Sequence, residues 1–248
     1  MKPDVIADVG NSRIKWGLCG GEGVRDGCSL PPDDVAIWEQ QFVRWALLPQ
    51  CQWLIAGVHP ARRDRLADWL RQHQQRVVIL DDPQCLPLRV LLERPDYVGV
   101  DRLLDAVAAN SRRSPGTPAA IIDAGSAVTV DLLDRDGAFV GGAILPGLRL
   151  MVKALHDYTA LLPIVEPPSQ APPLPGKATH TAIEAGIFWA VAGGIEALIR
   201  AYRIHCGSTV EVFLTGGDGP LLHSVLREAQ LWPEMTLEGI RLSAEALP

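Results

Sequence analysis

Several features that would classify this chain at once are missing from it. Its 248 residues hold five cysteines, Cys19, Cys28, Cys51, Cys85 and Cys206, and no Cys-x-x-Cys pair. An odd, scattered set suggests neither a disulfide framework nor a zinc site. Reduced thiols in a cytoplasmic protein are the plain expectation. There is no basic arm or stripe either. The formal net charge is −6, and positive residues gather only locally, as at Arg62-Arg63. Proteins that bind nucleic acid by neutralising phosphates have the opposite balance, so nucleic acid is set aside as a partner. The start, Met1-Lys2-Pro3-Asp4-Val5, has no apolar stretch resembling a signal peptide. No apolar run reads as reaching the roughly 18 residues of a membrane span. A soluble, cytoplasmic protein without a membrane partner is expected.

What is present suits a globular core. Hydrophobic residues make up 48% and charged residues 21%, with a mean hydropathy of +0.12. That composition is not disordered. The length suits one large domain or two small ones.

Val5-Ile6-Ala7 is a short apolar run ending in Asp8-Val9-Gly10-Asn11. Then Ile14, Trp16 and Leu18 alternate with Arg13, Lys15 and Gly17. Period two means strand, so the opening reads strand, tight turn, strand. A P-loop or dinucleotide fingerprint would place a helix after the turn. Residues 33–47 and 60–75 have helical spacing, and strands are expected at 53–58 and 77–80. The seven tryptophans lie largely at such spacings and are expected in the core. Residues 101–110 read as a helix, and the run from Asn110 to Pro118 breaks the pattern.

After the break the opening recurs. An apolar run leads to Asp123-Ala124-Gly125-Ser126, then Val128, Val130 and Leu132 alternate. Asp8 and Asp123 lie 115 positions apart. Repetition of an apolar strand, D-x-G plus a small polar residue, and an alternating strand predicts two related lobes, 1–114 and 115–248. Residues 163–175 hold six prolines and read as an irregular loop. A long helix is expected over 179–203, weakest at Gly193-Gly194. A strand at 210–214 leads into Gly216-Gly217-Asp218-Gly219 and a helix.

Four pieces carry candidate chemistry. In the first turn, Gly10 admits a close ligand and the turn amides suit phosphate oxygens. Asn11, Ser12, Arg13 and Lys15 add donors and positive charge. Asp8, at a strand end, is placed to hold Mg²⁺ directly or through water. The second turn offers Asp123, Gly125, Ser126 and Thr129. Two such hairpins facing each other would clamp phosphates, and phosphoryl transfer depends on that positioning and charge neutralisation. Gly216–Gly219, between strand and helix, would suit the nucleoside end of ATP. Gly99-Val100-Asp101-Arg102 pairs a carboxylate, which can accept a proton from a hydroxyl, with an arginine, which can hold an acidic substrate group.

Taken in order, D-V-G-N-S-R-I-K at 8–15, G-V-D-R at 99–102, D-A-G-S-A-V-T at 123–129 and G-G-A-I-L-P-G at 141–147 resemble the type III pantothenate kinases. Gly176–Thr179 and Leu237–Arg241 look like that family too, and the likeness runs over essentially the whole chain. The resemblance implies the acetate and sugar kinase, Hsp70 and actin fold: α/β, two RNase H-like lobes with a nucleotide cleft between them. It implies ATP-dependent phosphorylation of pantothenate to 4′-phosphopantothenate, the first step of coenzyme A biosynthesis. Asp8 would organise Mg²⁺ with ATP, and Val9, Gly10, Asn11, Ser12, Arg13, Ile14 and Lys15 would surround the phosphates. Asp101 would be the proton acceptor. Leu92, Gly99, Val100, Asp101, Arg102 and Thr179 would meet pantothenate, Asp123 would bind a monovalent cation, K⁺ or NH₄⁺, and Ser126 would touch ATP. The family also implies a homodimer whose interface builds the pantothenate site.

Two positions depart from the family pattern. Leu92 stands where Tyr is frequent, with Tyr97 nearby but out of register, and Ser126 replaces the usual Thr and keeps its hydroxyl. The first bears on the pocket's shape more than on the chemistry. Two other readings remain at this stage. One is a nucleotide-binding accessory or regulatory protein of the same fold without kinase activity. The other is an ATPase or phosphatase in which water replaces the alcohol. Asp101 argues against the first and the acid-arginine pair against the second.

Overall fold

A computed structural model describes residues 1–21 and 23–247. Its elements are β1 (Val5–Val9), β2 (Ile14–Cys19), β3 (Val24–Leu30), α1 (Val35–Arg44), β4 (Gln52–Ala56), α2 (Pro60–Gln72), β5 (Arg76–Ile79) and α3 (Val100–Arg112). There follow β6 (Ala119–Ala124), β7 (Ala127–Leu133), β8 (Phe139–Pro146), α4 (Leu148–Asp157), α5 (Thr179–Cys206), β9 (Glu211–Thr215), α6 (Gly219–His223), β10 (Gln230–Leu231) and α7 (Met235–Ala244). The chain forms two compact units. One contains Met1–Arg89, Glu93–Arg112 and the C-terminal segment from Glu234; the other contains Val90–Leu92 and Arg113–Pro233.

In the first unit the strands lie in the order β3-β2-β1-β4-β5. The β1–β2 and β2–β3 pairs are antiparallel, whereas β4 and β5 continue parallel to β1. β1 is buried at all five positions. Its continuous apolar run is what a central strand covered on both faces requires. Strands and helices together bring the tryptophan core, Trp16 and Trp53 from β2 and β4, Trp38 and Trp69 from α1 and α2. Trp16 meets Trp53 edge-on at 5.0 Å, and Trp38 meets Trp69 at 5.7 Å. β3 was not anticipated. Its sequence, VRDGCSL, is mostly exposed, so no alternating apolar pattern marked it, and pairing along β2 forms it instead. α7 packs against α3 and β1.

The second unit repeats this plan. Its order is β10-β9-β6-β7-β8, with β6–β7 and β7–β8 antiparallel and β9 and β10 parallel to β6. Thus β6 to β8 match β1 to β3, and β9 and β10 match β4 and β5. The duplication inferred from the two D-x-G turns exists at the level of strand order.

α5 corrects one expectation. Over 18 residues it reaches a mean hydropathy of 1.6, long and apolar enough to cross a membrane by length and composition. The run was missed because Glu184 and Glu196 interrupt it. One face of the helix belongs to the core of this unit: Phe188, Val191, Ala192, Ile195 and Ile199 pack with Ile122, Val128 and Val130, whereas Trp189 and Ile204 are exposed. The helix also passes unbroken through Gly193-Gly194. Each glycine costs about 1 kcal/mol in a helix, whereas each large buried apolar side chain returns about 1.5–3 kcal/mol. Packing therefore outweighs the local weakness.

Candidate active site

The first turn joins β1 to β2. Val9 pairs with Ile14, leaving residues 10–13 as the connection, and the Gly10 N–H bonds the Arg13 carbonyl at 3.0 Å. Asp8 is 9% exposed and lies directly across the ladder from Lys15. Asn11, Ser12 and Arg13 are exposed. A carboxylate and an ammonium on facing strands thus flank a solvent-facing turn.

Asp101 occupies the first turn of α3. Its carboxylate accepts a hydrogen bond from the Arg102 N–H at 2.8 Å. That folds the side chain back over Gly99, where a β-carbon would come within 2.5 Å of Asp101 Oδ1. The glycine before Val100 is therefore a requirement of the carboxylate's position. Burial pushes the Asp101 carboxyl above the usual aspartate range. The Arg102 amide, the Arg102 charge and, more weakly, the Lys15 charge pull it back. Lys15 thus links the β1–β2 turn to the helix start electrostatically.

In the second unit, Gly125 and Ser126 connect β6 and β7, closed by the Gly125 N–H on the Ala127 carbonyl at 3.0 Å. Asp123 lies across the ladder from Thr129. The turn after β9 comes beside it: the Asp218 N–H bonds the Ala124 carbonyl at 2.9 Å. Gly216, at φ +92°, lies so close that a β-carbon would meet Asp123 Oδ1 and the Ala124 carbonyl, each at 2.4 Å. The end of the 141–147 motif joins as well, through the Gly147 N–H on the Ser126 carbonyl at 3.2 Å. Burial raises the Asp218 carboxyl, opposed by the Arg149 charge.

Thus Asp8, the 10–13 turn, Lys15, Asp101 and Arg102 share one unit, and Asp123, Ser126 and the Gly216 turn share the other. Thr179 opens α5 and is exposed, and Leu92 packs beside Gly141 of β8. The closing Leu237–Arg241 motif lies in α7, where Glu238 and Arg241 form an ion pair at 2.7 Å. Among the described residues no cluster of three or more His, Cys, Asp or Glu is gathered for a metal. One residue escaped sequence reasoning. Arg62, on the first turn of α2, donates to the Asn11 carbonyl, and its only trace in the sequence was the local Arg62-Arg63 cluster.

Solved structures define the class. A Baf family transcriptional activator from Campylobacter jejuni superposes with a TM-score of 0.63 at 20% identity, covering 97% of both chains. The activator of 2-hydroxyisocaproyl-CoA dehydratase from Clostridium difficile, solved with bound ADPNP, gives 0.55 at 14% identity, covering 99% of this chain and 96% of that one. MreB5 of Spiroplasma citri gives 0.50 at 10% identity, covering 99% and 97%. At these identities the fold alone is shared: the α/β fold of the sugar kinases, Hsp70 and actin. Sequence then narrows the class. A profile of type III pantothenate kinases matches residues 5–201. The type III pantothenate kinase of Paramagnetospirillum magneticum is 34% identical over 94% of this chain and 93% of its own. That of Rhodospirillum rubrum is 32% identical over 94% of each. The chain belongs to the type III pantothenate kinase family and is a phosphotransferase.

Proposed function

We propose the residue roles by which this chain performs the reaction of its family. That reaction is ATP-dependent phosphorylation of pantothenate to 4′-phosphopantothenate, the first step of coenzyme A biosynthesis. The observation that carries the assignment is the partly buried Asp101 carboxylate at the head of α3, held by the Arg102 N–H at 2.8 Å and within the field of Lys15.

Asp101 accepts the proton of the attacking pantothenate hydroxyl as its oxygen bonds to the γ-phosphorus and ADP departs. Burial makes it a stronger base, and the Arg102 donors hold it in place. Arg102 takes the pantothenate carboxylate, a pairing its planar fork suits. Gly99, Val100, Leu92 and Thr179 complete the contacts with pantothenate. Val9 to Lys15 surround the ATP phosphates and Ser126 donates to ATP. Charge neutralisation and in-line positioning supply the remaining rate enhancement.

The Asp8 carboxylate, near the end of β1 and just before the 10–13 turn, suits an Mg²⁺ ion that arrives with ATP and keeps its waters. When bound, the ion neutralises charge on the phosphates. Asp123, with Thr129 opposite and Ser126 beside it, offers oxygen donors that suit a monovalent cation, K⁺ or NH₄⁺. The chain acts as a cytoplasmic homodimer.

The test is ADP release from purified protein with Mg-ATP and K⁺, with and without pantothenate, with the organic product weighed by mass spectrometry. Pantothenate-dependent ADP and a product heavier by one phosphate are expected. ATP binding without that product would favour a nucleotide-binding accessory protein.

A further inference from the structure

The connection from β4 to α2 touches both chemical turns of the first unit. At its start Gly57 presses against Val9, leaving no room for a β-carbon beside the Val9 carbonyl. Next, Val58 Cγ1 lies 3.4 Å from where a β-carbon on Gly99 would sit. At its end the Arg62 guanidinium donates to the carbonyl of Asn11 and to the Asp33 carboxylate, the latter at 2.8 Å. Asp33 also accepts from Arg65 at 3.3 Å. Arg62 itself is fixed by a well-formed helix start. Pro60 opens α2, and the Arg62 N–H bonds His59 Nδ1 at 3.4 Å.

We propose that Arg62 is a positioning residue for the phosphate turn, holding the Asn11 peptide so that the turn is formed before ATP arrives. The proposal rests on the reading that residues 10–15 hold the ATP phosphates. The turn needs such a clamp. Its three middle residues are exposed, and ordering exposed backbone costs conformational entropy. The Gly10–Arg13 bond closes the turn's ends but leaves the Asn11 carbonyl to be placed. Engaged on a guanidinium, that carbonyl is kept from facing phosphate oxygens, which it would repel. The guanidinium adds positive charge beside the turn, where preorganised charge favours an anion. Both of its named partners, Asn11 and Asp33, are exposed, so the clamp lies at the surface of the unit.

The experiment compares Arg62→Ala, Arg62→Lys, Asp33→Asn and Lys15→Ala with the unchanged enzyme. KM is measured for ATP at saturating pantothenate and for pantothenate at saturating ATP, with thermal melting alongside. Arg62→Ala is expected to raise the KM for ATP about tenfold, the scale of a lost charge-assisted hydrogen bond. The KM for pantothenate stays within about twofold, and melting changes little. Arg62→Lys keeps the charge without the fork and restores part of the affinity. Asp33→Asn gives a smaller loss in the same direction. An unchanged ATP KM in Arg62→Ala overturns the proposal, as does an equal rise for both substrates, or lowered melting with both KM values intact. Should Arg62→Ala fail to fold, Arg62→Lys and Asp33→Asn decide by the same criteria. Lys15→Ala separates the two levels: if it too leaves the ATP KM unchanged, the phosphate-turn reading itself fails. If it alone raises the KM, that reading stands and the role of Arg62 falls.

Discussion

The two units build the same hairpin on the same strand order, yet they hold it by opposite means. The first turn is held by side chains: Arg62 on the Asn11 carbonyl, Asp33 behind it, and Lys15 facing Asp8. The second is held by backbone. The amides of Gly147 and Asp218 bond its carbonyls, Gly216 lies against Asp123, and Thr129 takes the place of a lysine. Charge is therefore concentrated in one turn and rigidity in the other. The division suits the proposed ligands. A triphosphate needs positive charge on donors that can follow it through transfer. A weakly held monovalent cation needs oxygens already fixed at the right spacing.

The comparison breaks most visibly at its glycines. Gly216→Ala must place a β-carbon 2.4 Å from two oxygens at φ +92°. Strain of that backbone region alone costs on the order of 1–3 kcal/mol, and the clash adds to it. A loss of about 3 kcal/mol or more in urea unfolding is expected. Gly10→Ala meets one atom, the Arg13 carbonyl at 3.2 Å, without a positive φ, so its unfolding free energy should fall by under about 1 kcal/mol. Equal losses in the two variants would mean that both turns depend on backbone packing alike.

Asp101→Asn reverses that outcome, removing chemistry and sparing the fold. Its kcat should fall about 100-fold or more, the scale of a lost general base. Stability should move the other way. A carboxyl raised by burial binds its proton more readily folded than unfolded. The stability it contributes is present below the ordinary aspartate value, 3.8, and is lost as pH rises through the raised value. At neutral pH the native protein carries a partly buried charge that Asn lacks. The variant should thus melt at or above the unchanged enzyme at pH 8, and the gap should close as pH falls toward 3.8. A clear drop in melting temperature at pH 8 would show that the carboxylate is structurally required.

A finer effect separates the hairpin that has Lys15 opposite its aspartate from the one that has Thr129 there. The acid limb of kcat/KM should lie above the ordinary aspartate range, because activity needs Asp101 deprotonated. Lys15 lowers the Asp101 value, so Lys15→Met should move that limb to higher pH. Thr129→Val, at the matching ladder position of the second unit, should leave it unmoved. A limb unchanged in Lys15→Met would remove the link between turn and base.

Most of this contrast was hidden in the sequence, for identifiable reasons. Both turns were legible, because D-x-G between an apolar run and an alternating strand is a local signal. So were the tryptophan core, the 179–203 helix and the G-V-D-R helix start. β3 was not, since its exposed residues fit no period and only the β2 ladder selects them. The return of α7 to the first unit was equally unmarked, because an amphipathic helix does not name the surface it will cover. Arg62 stands in the sequence only as half of a local Arg62-Arg63 cluster. Nothing local ties it to Asn11, 51 positions away.

The smallest expected effect lies at the one hydroxyl each turn presents to solvent. Ser12 and Ser126 are both exposed, and each is assigned a single hydrogen bond to ATP. Such a bond contributes about 0.5–1.5 kcal/mol net, or roughly two- to twelvefold in affinity. Ser126 belongs to a turn whose backbone is fixed, so Ser126→Ala should raise the ATP KM within that range and change nothing else. Ser126→Thr, which restores the hydroxyl usual in the family, should stay within about twofold of the unchanged enzyme. Ser12 belongs to the turn whose Asn11 carbonyl is held by Arg62, so its effect is expected to depend on that clamp. Ser12→Ala should therefore exceed Ser126→Ala, and Arg62→Ala should absorb the excess: in that background the two serine variants should cost about the same. If the difference persists without Arg62, the first turn is ordered by something other than its arginine clamp.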